Sequence, residues 1–451
     1  MPSPYNVGFC ADRADFYQNF AMIAGISPAA PVLVVGAGPA GATAARALAL
    51  SRVPVRLLDR AAFPRNKPCG GGISMRALRR FPYLEPELHR IATHAVARMY
   101  LEGPDGEAAI VESDGPAALM IRRIEFDALL VALAQEAGAE LVTGADVVQA
   151  REDRDAVTLT TRDGRRFASP VVIAADGVHS VVARRLAMNR GWSASAVALD
   201  MMEETPRSTL RDLDPTTLWV AYGFNPAGAE PVKGHRAAEG YAYIFPKRDH
   251  VNIGIGYVLS HYREAIAADP YTLQRGFVAS LRDRGIVAGE SVRKNFTPFL
   301  IPVGGPLRVP ARGRVLLAGD AGGFVNGFTA EGIYYAMVSG ELAAHAVSSA
   351  PGVSQLAGRY RRACDYEIGA ELRDSVLLQQ FLFADRRRIA RVIDGARREP
   401  AMTRSILEFA AGRGSYRQLR RRLLAGAPWL AGRLMWERLR KNFVVRRARS
   451  S

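Results

Sequence analysis

Residues 30–60 read APVLVVGAGPAGATAARALALSRVPVRLLDR. Val32 to Val35 form a short, unbroken apolar run, the pattern of a strand buried on both faces. Glycines end that run, and the alanine-rich stretch behind them has the composition of a helix, since alanine loses no side-chain entropy there. A second apolar run closes at Asp59 and Arg60. Strand, helix and strand in this order predict a βαβ unit. Gly36, Gly38 and Gly41 stand at G-x-G-x-x-G spacing in the context that motif needs: the first permits a tight turn, the second lets a pyrophosphate reach the backbone, and the third brings helix and strand together. Pro39 and Ala40 then open the helix, whose N-terminal amides suit an anion. The Asp59 carboxylate closes the second strand, where it suits ribose hydroxyls. The segment is predicted to bind a dinucleotide.

Length and composition narrow what surrounds this unit. A chain of 451 residues, about half hydrophobic, is long enough for two or three cores. Cys10, Cys69 and Cys364 are too few and too scattered for a disulfide framework, and none stands at metal-ligand spacing, so a reducing cytoplasmic setting and no metal are expected. The N-terminus carries Asp12, Arg13 and Asp15 where a signal peptide needs a clean apolar run. The apolar stretch from Phe20 to Leu50 is broken by Pro28, Pro31 and Pro39, which argues against a membrane span. The net charge of +16 is lopsided: from Ala401 onward thirteen Lys and Arg stand against Glu408 and Glu437, so +11 of it belongs to the C-terminal stretch. No helix-turn-helix, zinc knuckle or aromatic-interleaved basic strand accompanies that charge, and nucleic-acid binding is excluded as a reading.

Two later stretches repeat the logic of the first. TRDGRRFASPVVIAADGVHSVVARRL has a hairpin signal at Asp163-Gly164, a buried strand (Val171 to Ala174) and then Asp176-Gly177. RGRVLLAGDAGGFVNGFTAEGIYYAMVSGELAA gives an apolar strand, Gly319-Asp320, a glycine-rich turn and a helix opening near Glu331, Gly332 and Ile333. Together with R-x-x-F-D at Arg123, these resemble the FAD-dependent family of aromatic hydroxylases and its relatives. The resemblance implies that Asp320 approaches the ribitol, that the following helix points its N-terminus at the flavin, and that Arg123 stands beside the cofactor. A helix N-terminus carries about half a positive charge, which stabilises the anion of a reduced flavin. Arg123 has the alternative of a surface ion pair at its helix start.

From residue 190 to 300 helical patterning gives way to GYAYIFPKRDHVNIGIGYVL, in which Tyr241, Tyr243 and Phe245 alternate on one strand and a polar turn from Lys247 to His250 leads to a returning strand. Upstream, FPRNKPCGGGIS places Lys67, Cys69, Gly70, Gly71 and Gly72 in a stretch without periodicity. K-x-C-G-G-G combined with the aromatic-x-aromatic-x-F-P strand resembles the geranylgeranyl reductase family, flavoproteins that saturate isoprenoid double bonds in archaeal lipids, chlorophyll precursors and quinone side chains. Members usually carry tryptophan where Tyr243 stands and proline where Gly327 stands. The resemblance implies FAD as cofactor, a greasy isoprenoid or lipid substrate, and glycines that let a flat ring or alkyl chain approach the backbone. Cys69 is either a proton source, activated by Lys67, or a small hydrophobe shaping the pocket. Tyr241 and Tyr243 are candidates for stabilising developing positive charge. With one dinucleotide fold in the chain, NAD(P)H must visit transiently or a ferredoxin-like donor must replace it. The alternatives from other classes are a flavin monooxygenase or halogenase, and a non-catalytic flavin-binding electron carrier.

The expected architecture is α/β: a Rossmann-type FAD-binding domain of the aromatic-hydroxylase kind with an inserted, mainly antiparallel β-sheet substrate domain and a C-terminal helical region. The expected boundaries are an N-terminal extension to residue 30, the FAD-binding domain over 31–188 and 305–350, the substrate domain over 189–304, and helices over 351–451. At the end of the chain Trp429, Met435, Trp436, Leu439 and Phe443 share one helical face opposite Arg433, Arg440 and Lys441. That pattern fits a peripheral contact with the cytoplasmic membrane face, or packing on the protein's own body.

Overall fold

In the computed structural model, which describes residues 23, 26–211, 214–224, 239–398, 408–409 and 413–426, the strand Val32–Val35 sits inside a six-stranded sheet. Its parallel neighbours are Val55–Leu58 and Val172–Ala174, which pair in turn with Glu140–Val142 and Val315–Leu317; only the edge strand Ala311–Arg312 runs antiparallel. Alternate residues of the first strand serve opposite cores. Val32 and Val34 face the helices Pro39–Leu50, Arg123–Glu136 and Ile333–Ser349, while Leu33 and Val35 face a three-stranded antiparallel sheet (147–169) and the short helix Val181–Arg185. Both faces being covered is why the strand reads as an unbroken apolar run.

A second, seven-stranded sheet runs in the order Phe296–Ile301, Ala198–Pro206, His250–Val258, Gly240–Pro246, Thr217–Tyr222, Arg98–Glu102, Ala108–Glu112. One face packs on the helix Pro270–Asp283 through Ile244, Ile253, Ile255 and Phe277. The opposite face carries Met202, Val220 and Tyr243, and its end is closed by Phe381 and Phe383 of the helix Ala370–Phe383. Two of its strands come from 98–112, inside the stretch assigned by sequence to the FAD-binding domain. Arg98–Glu102 pairs parallel with Thr217–Tyr222, and a parallel pairing across more than a hundred residues leaves no turn signal in the sequence.

Of the residues read as an N-terminal extension, Ile23 and Ile26 are buried in the main core. The expected C-terminal helices run almost without a break from Val353 to Phe383 and resume at Arg386–Arg398. Residues 427–451, with the amphipathic pattern around Trp429 and Trp436, lie outside the described residues. Among the described residues no helix is long and apolar enough to cross a membrane.

Candidate active site

The glycine turn after the first strand is where three separated segments meet. Gly36 adopts φ +93°, open to glycine at little cost, and a Cβ there would lie 2.4 Å from the carbonyl oxygen of Ala175 and 2.9 Å from the Cα of Asp176. Gly319 packs against the same loop, its would-be Cβ 3.0 Å from that of Ala40. A side chain on Gly41 would meet the Gly36 carbonyl oxygen at 1.8 Å. Gly38 differs: its nearest protein atom is Arg65 Nη2 at 3.8 Å, so the space a Cβ would fill is left free.

The donor and acceptor set fits a dinucleotide. The helices beginning at Pro39 and Ile333 have glycine N-caps, Gly38 and Gly332, and no side chain caps either one, which leaves amides at both N-termini for an anion. Asp59 accepts hydrogen bonds from the Ala37 amide (2.7 Å) and the Ala61 amide (2.9 Å), fixing the loop while keeping lone pairs over. Asp176 caps the helix at Val181 through one oxygen, its other oxygen is buried without a partner, and burial raises its pKa. Asp320 lies at the start of the third segment; burial pushes its carboxyl up against the opposing pull of Lys67 and Arg123. Gly177 takes φ +80° in the turn after Asp176, and Ile333 is buried at the head of its helix. Arg60 is exposed.

Arg123 is no surface ion pair. It is 9 % exposed and grips Asp127, fully buried one turn later, with Nε at 2.6 Å and Nη2 at 2.8 Å. Arg65 joins the same carboxylate at 3.2 Å and reaches Asp59 at 3.6 Å, so a chain of alternating charges runs from the end of the second strand to Arg123. Sequence reasoning missed Arg65; Asp127 closes the R-x-x-F-D motif, but its i, i+4 pairing with Arg123 was not drawn from it.

The glycine triplet is explained differently from the expectation of ligand room. Gly71 takes φ +75°, and a side chain there would strike the Ile121 carbonyl oxygen at 2.1 Å and Lys247 Nζ at 3.0 Å; one on Gly70 would meet the Phe245 ring at 2.8 Å. The space beside both is filled by this chain's own strands, while Gly72 begins the strand Gly72–Ser74 with ordinary clearance. The loop is therefore a seam against the aromatic strand. Asn252 closes it by donating to the Cys69 carbonyl oxygen at 2.8 Å. Cys69 Sγ accepts from the Gly71 amide at 3.4 Å. Lys67 lies over the Phe299 ring at 4.8 Å, and burial followed by Arg123 lowers its pKa. Lys247, almost fully buried, pairs with Glu204, which also holds Arg122 at 2.7 Å.

Beyond this seam a small opening, with a cavity volume of about 30 Å³, lies between the seven-stranded sheet, the 327–330 loop and the helix Ala370–Phe383. Tyr241, Tyr257, Ile301, Phe328 and Phe383 give it apolar walls, and Asp200 supplies a carboxyl. Tyr241 donates to the Thr329 carbonyl oxygen at 2.9 Å, which ties the sheet to the loop that follows Gly319-Asp320. Tyr243 is outside the lining; it is 2 % exposed and its hydroxyl donates to both oxygens of Asp200 at 3.2 and 3.3 Å. Burial lifts the Asp200 carboxyl to about 7, against the Tyr243 hydrogen bond and the positive charge of Lys67, which pull it down. Asp200 lies on a strand without any motif to mark it.

Residues 29–249 match the family described as FAD binding domain. The menaquinone reductase of Mycobacterium tuberculosis is 32% identical over 359 residues, covering 75% of this chain and 82% of that protein. The geranylgeranyl diphosphate reductase of Rhodobacter capsulatus is 33% identical over 318 residues, covering 69% and 73%. Among solved structures, a geranylgeranyl bacteriochlorophyll reductase-like protein from Thermoplasma acidophilum superposes with a TM-score of 0.71 at 20% identity, covering 89% of this chain and 99% of that one. With its glycine turn, two uncapped helix ends and buried carboxylates meeting at one cleft, the chain belongs to the geranylgeranyl reductase family of FAD-dependent oxidoreductases.

Proposed function

We propose that this protein saturates carbon–carbon double bonds of an isoprenoid chain carried by a lipid or quinone. The observation that supports this reading best is the lining of the small opening at the 327–330 loop, whose aromatic and aliphatic walls match the apolar character of a prenyl chain and offer few polar groups to an aromatic acid. Two of the relatives named above are a menaquinone reductase and a geranylgeranyl diphosphate reductase, which supports a quinone- or isoprenoid-bearing substrate.

In this reading the amides of Gly38, Ala40 and Gly41 hold the pyrophosphate, Asp59 and Asp320 hold hydroxyls of the sugar and ribitol, and the amides at Gly332 and Ile333 face the ring. FAD, when bound and reduced, would supply the hydride, which carries both electrons. The chain's part is to align the alkene and exclude water, because an isolated alkene is a poor electrophile and gains most from positioning. Tyr241 and Phe328 form the walls that do so, and the buried Arg123–Asp127–Arg65 chain keeps the loop in register. A nicotinamide nucleotide or a ferredoxin-like protein delivers the electrons, and the basic C-terminal stretch brings the enzyme to the lipid surface.

The test is anaerobic turnover of geranylgeranyl-bearing lipid and quinone by the FAD-loaded protein, with products read by mass spectrometry. A gain of two hydrogens per bond is the expected result. Oxygen uptake with incorporation of an oxygen atom into product would replace this reading with the monooxygenase one.

A further inference from the structure

Resting on the alkene-reduction reading above, we propose that Asp200 is the proton donor of the reaction, with Tyr243 as the residue that positions it. Asp200 lies on the strand Ala198–Pro206, lines the opening and is 7 % exposed. Its hydrogen-bond partner is the Tyr243 hydroxyl, and among the described residues no Lys or Arg nitrogen lies within 4.0 Å of it to hold it as a carboxylate. A buried carboxyl without a paired cation keeps its proton, because the low-dielectric surroundings penalise the charged form. That is the state a proton donor needs near neutral pH.

The rival donors are placed less well. Cys69, the sequence-level candidate, is absent from the lining, and its sulfur accepts a hydrogen bond from Gly71. Glu239, the other carboxyl of the lining, is only half-buried. The titratable and charged groups facing Asp200 are Tyr241 and Tyr243, Glu239 at the start of their strand, Tyr257, and Lys67. Gly256 and Phe299 stand opposite it on the two flanking strands, and the helix Ala370–Phe383 presents Gln379.

In the step itself the Asp200 O–H bond breaks, and its proton forms a C–H bond at one alkene carbon as the π bond opens. The hydride from the reductant completes the other carbon, and the carboxylate left behind regains its proton from water.

Two measurements test this on the full-length, FAD-loaded protein. Infrared difference spectra over pH 5 to 9 should show a protonated-carboxyl band that titrates near neutrality in the wild type and is missing in Asp200→Asn, whatever the activity. Anaerobic single-turnover assays should show alkene reduction slowed by about 100-fold or more in Asp200→Asn, with flavin content and flavin reduction by dithionite unchanged. Asp200→Glu should recover part of the rate. Tyr243→Phe removes a hydrogen bond that favours the carboxylate, so the alkaline limb of the rate profile should move to higher pH. Normal alkene reduction by Asp200→Asn, or a band that does not depend on Asp200, would overturn the assignment alone. A wild-type enzyme that leaves every prenyl chain intact would overturn the functional reading and this step with it.

Discussion

Gly38 and Gly41 stand three residues apart in one turn, yet their missing side chains do different things. At Gly41 a methyl group collides with the Gly36 carbonyl oxygen at 1.8 Å, whereas at Gly38 it meets only the end of Arg65 at 3.8 Å. Gly41→Ala is therefore expected to lower the unfolding temperature by several degrees or prevent folding, while Gly38→Ala should fold normally and lose FAD affinity. Thermal unfolding of the apoprotein beside flavin titration separates the two. Asp200 makes a second residue-scale prediction. Its folded pKa of about 7 lies above the unfolded 3.8, so between these values the native state holds a proton that the unfolded state has lost. Stability then falls with rising pH by about 1.4 kcal/mol per unit, or roughly 4 kcal/mol in all, and levels off above pH 7. Asp200→Asn should lack that slope, so its stability relative to wild type should rise from pH 4 to 7; parallel denaturant midpoints for the two proteins across this range would contradict the burial argument. The glycine turn was legible in the sequence because its spacing encodes a local steric demand. Asp200 was not, since its character comes from Tyr243 and the apolar walls that tertiary packing brings to it.

At the scale of elements, the helix Ala370–Phe383 both closes the opening with Phe383 and is pinned to the flavin region by a buried pair. Arg76 donates to Glu371 at 2.8 and 3.3 Å, lies over the rings of Tyr334 and Phe409 at 3.8 and 4.5 Å, and shares Glu371 with the Tyr335 hydroxyl. Removing one partner strands a charge in the interior. Arg76→Met should cost about 3–5 kcal/mol in urea unfolding, and adding Glu371→Leu should restore part of that by removing the stranded carboxylate, though the Tyr335 hydroxyl then loses an acceptor. A double variant worse than the single one would show that the pair is not what destabilises. The hairpin from Gly240 to Val258 was readable because its aromatics alternate around a polar turn. The strands at 98–112 were not assigned to that sheet, since a parallel partner distant in sequence writes nothing into the local pattern.

At the scale of the whole molecule, the nucleotide-binding sheet is discontinuous: its strands come from 32–58, 140–142, 172–174 and 311–317. A chain cut after residue 304 loses Val315–Leu317 and the helix Ile333–Ser349, whose Gly340 lets it approach the first helix so closely that a Cβ would lie 2.1 Å from the Ala40 carbonyl oxygen. Such a fragment contains the entire matched FAD-binding segment yet should retain no flavin on gel filtration, because an exposed central strand and half a cleft remain. A chain cut after residue 426 keeps every described element and should bind FAD as the full chain does. What it loses is charge. Residues 427–451 contain Arg433, Arg438, Arg440, Lys441, Arg446, Arg447 and Arg449 against Glu437, together with Trp429 and Trp436. Cations near an anionic bilayer each contribute about 1 kcal/mol and are screened beyond a Debye length of ~8 Å at physiological salt. The full chain should therefore sediment with vesicles rich in phosphatidylglycerol at low salt, progressively less as salt rises, and hardly at all with neutral vesicles. The chain cut at 426 should stay in the supernatant under all three conditions while remaining yellow. Equal sedimentation of both chains would move the membrane contact off the tail and onto the folded body.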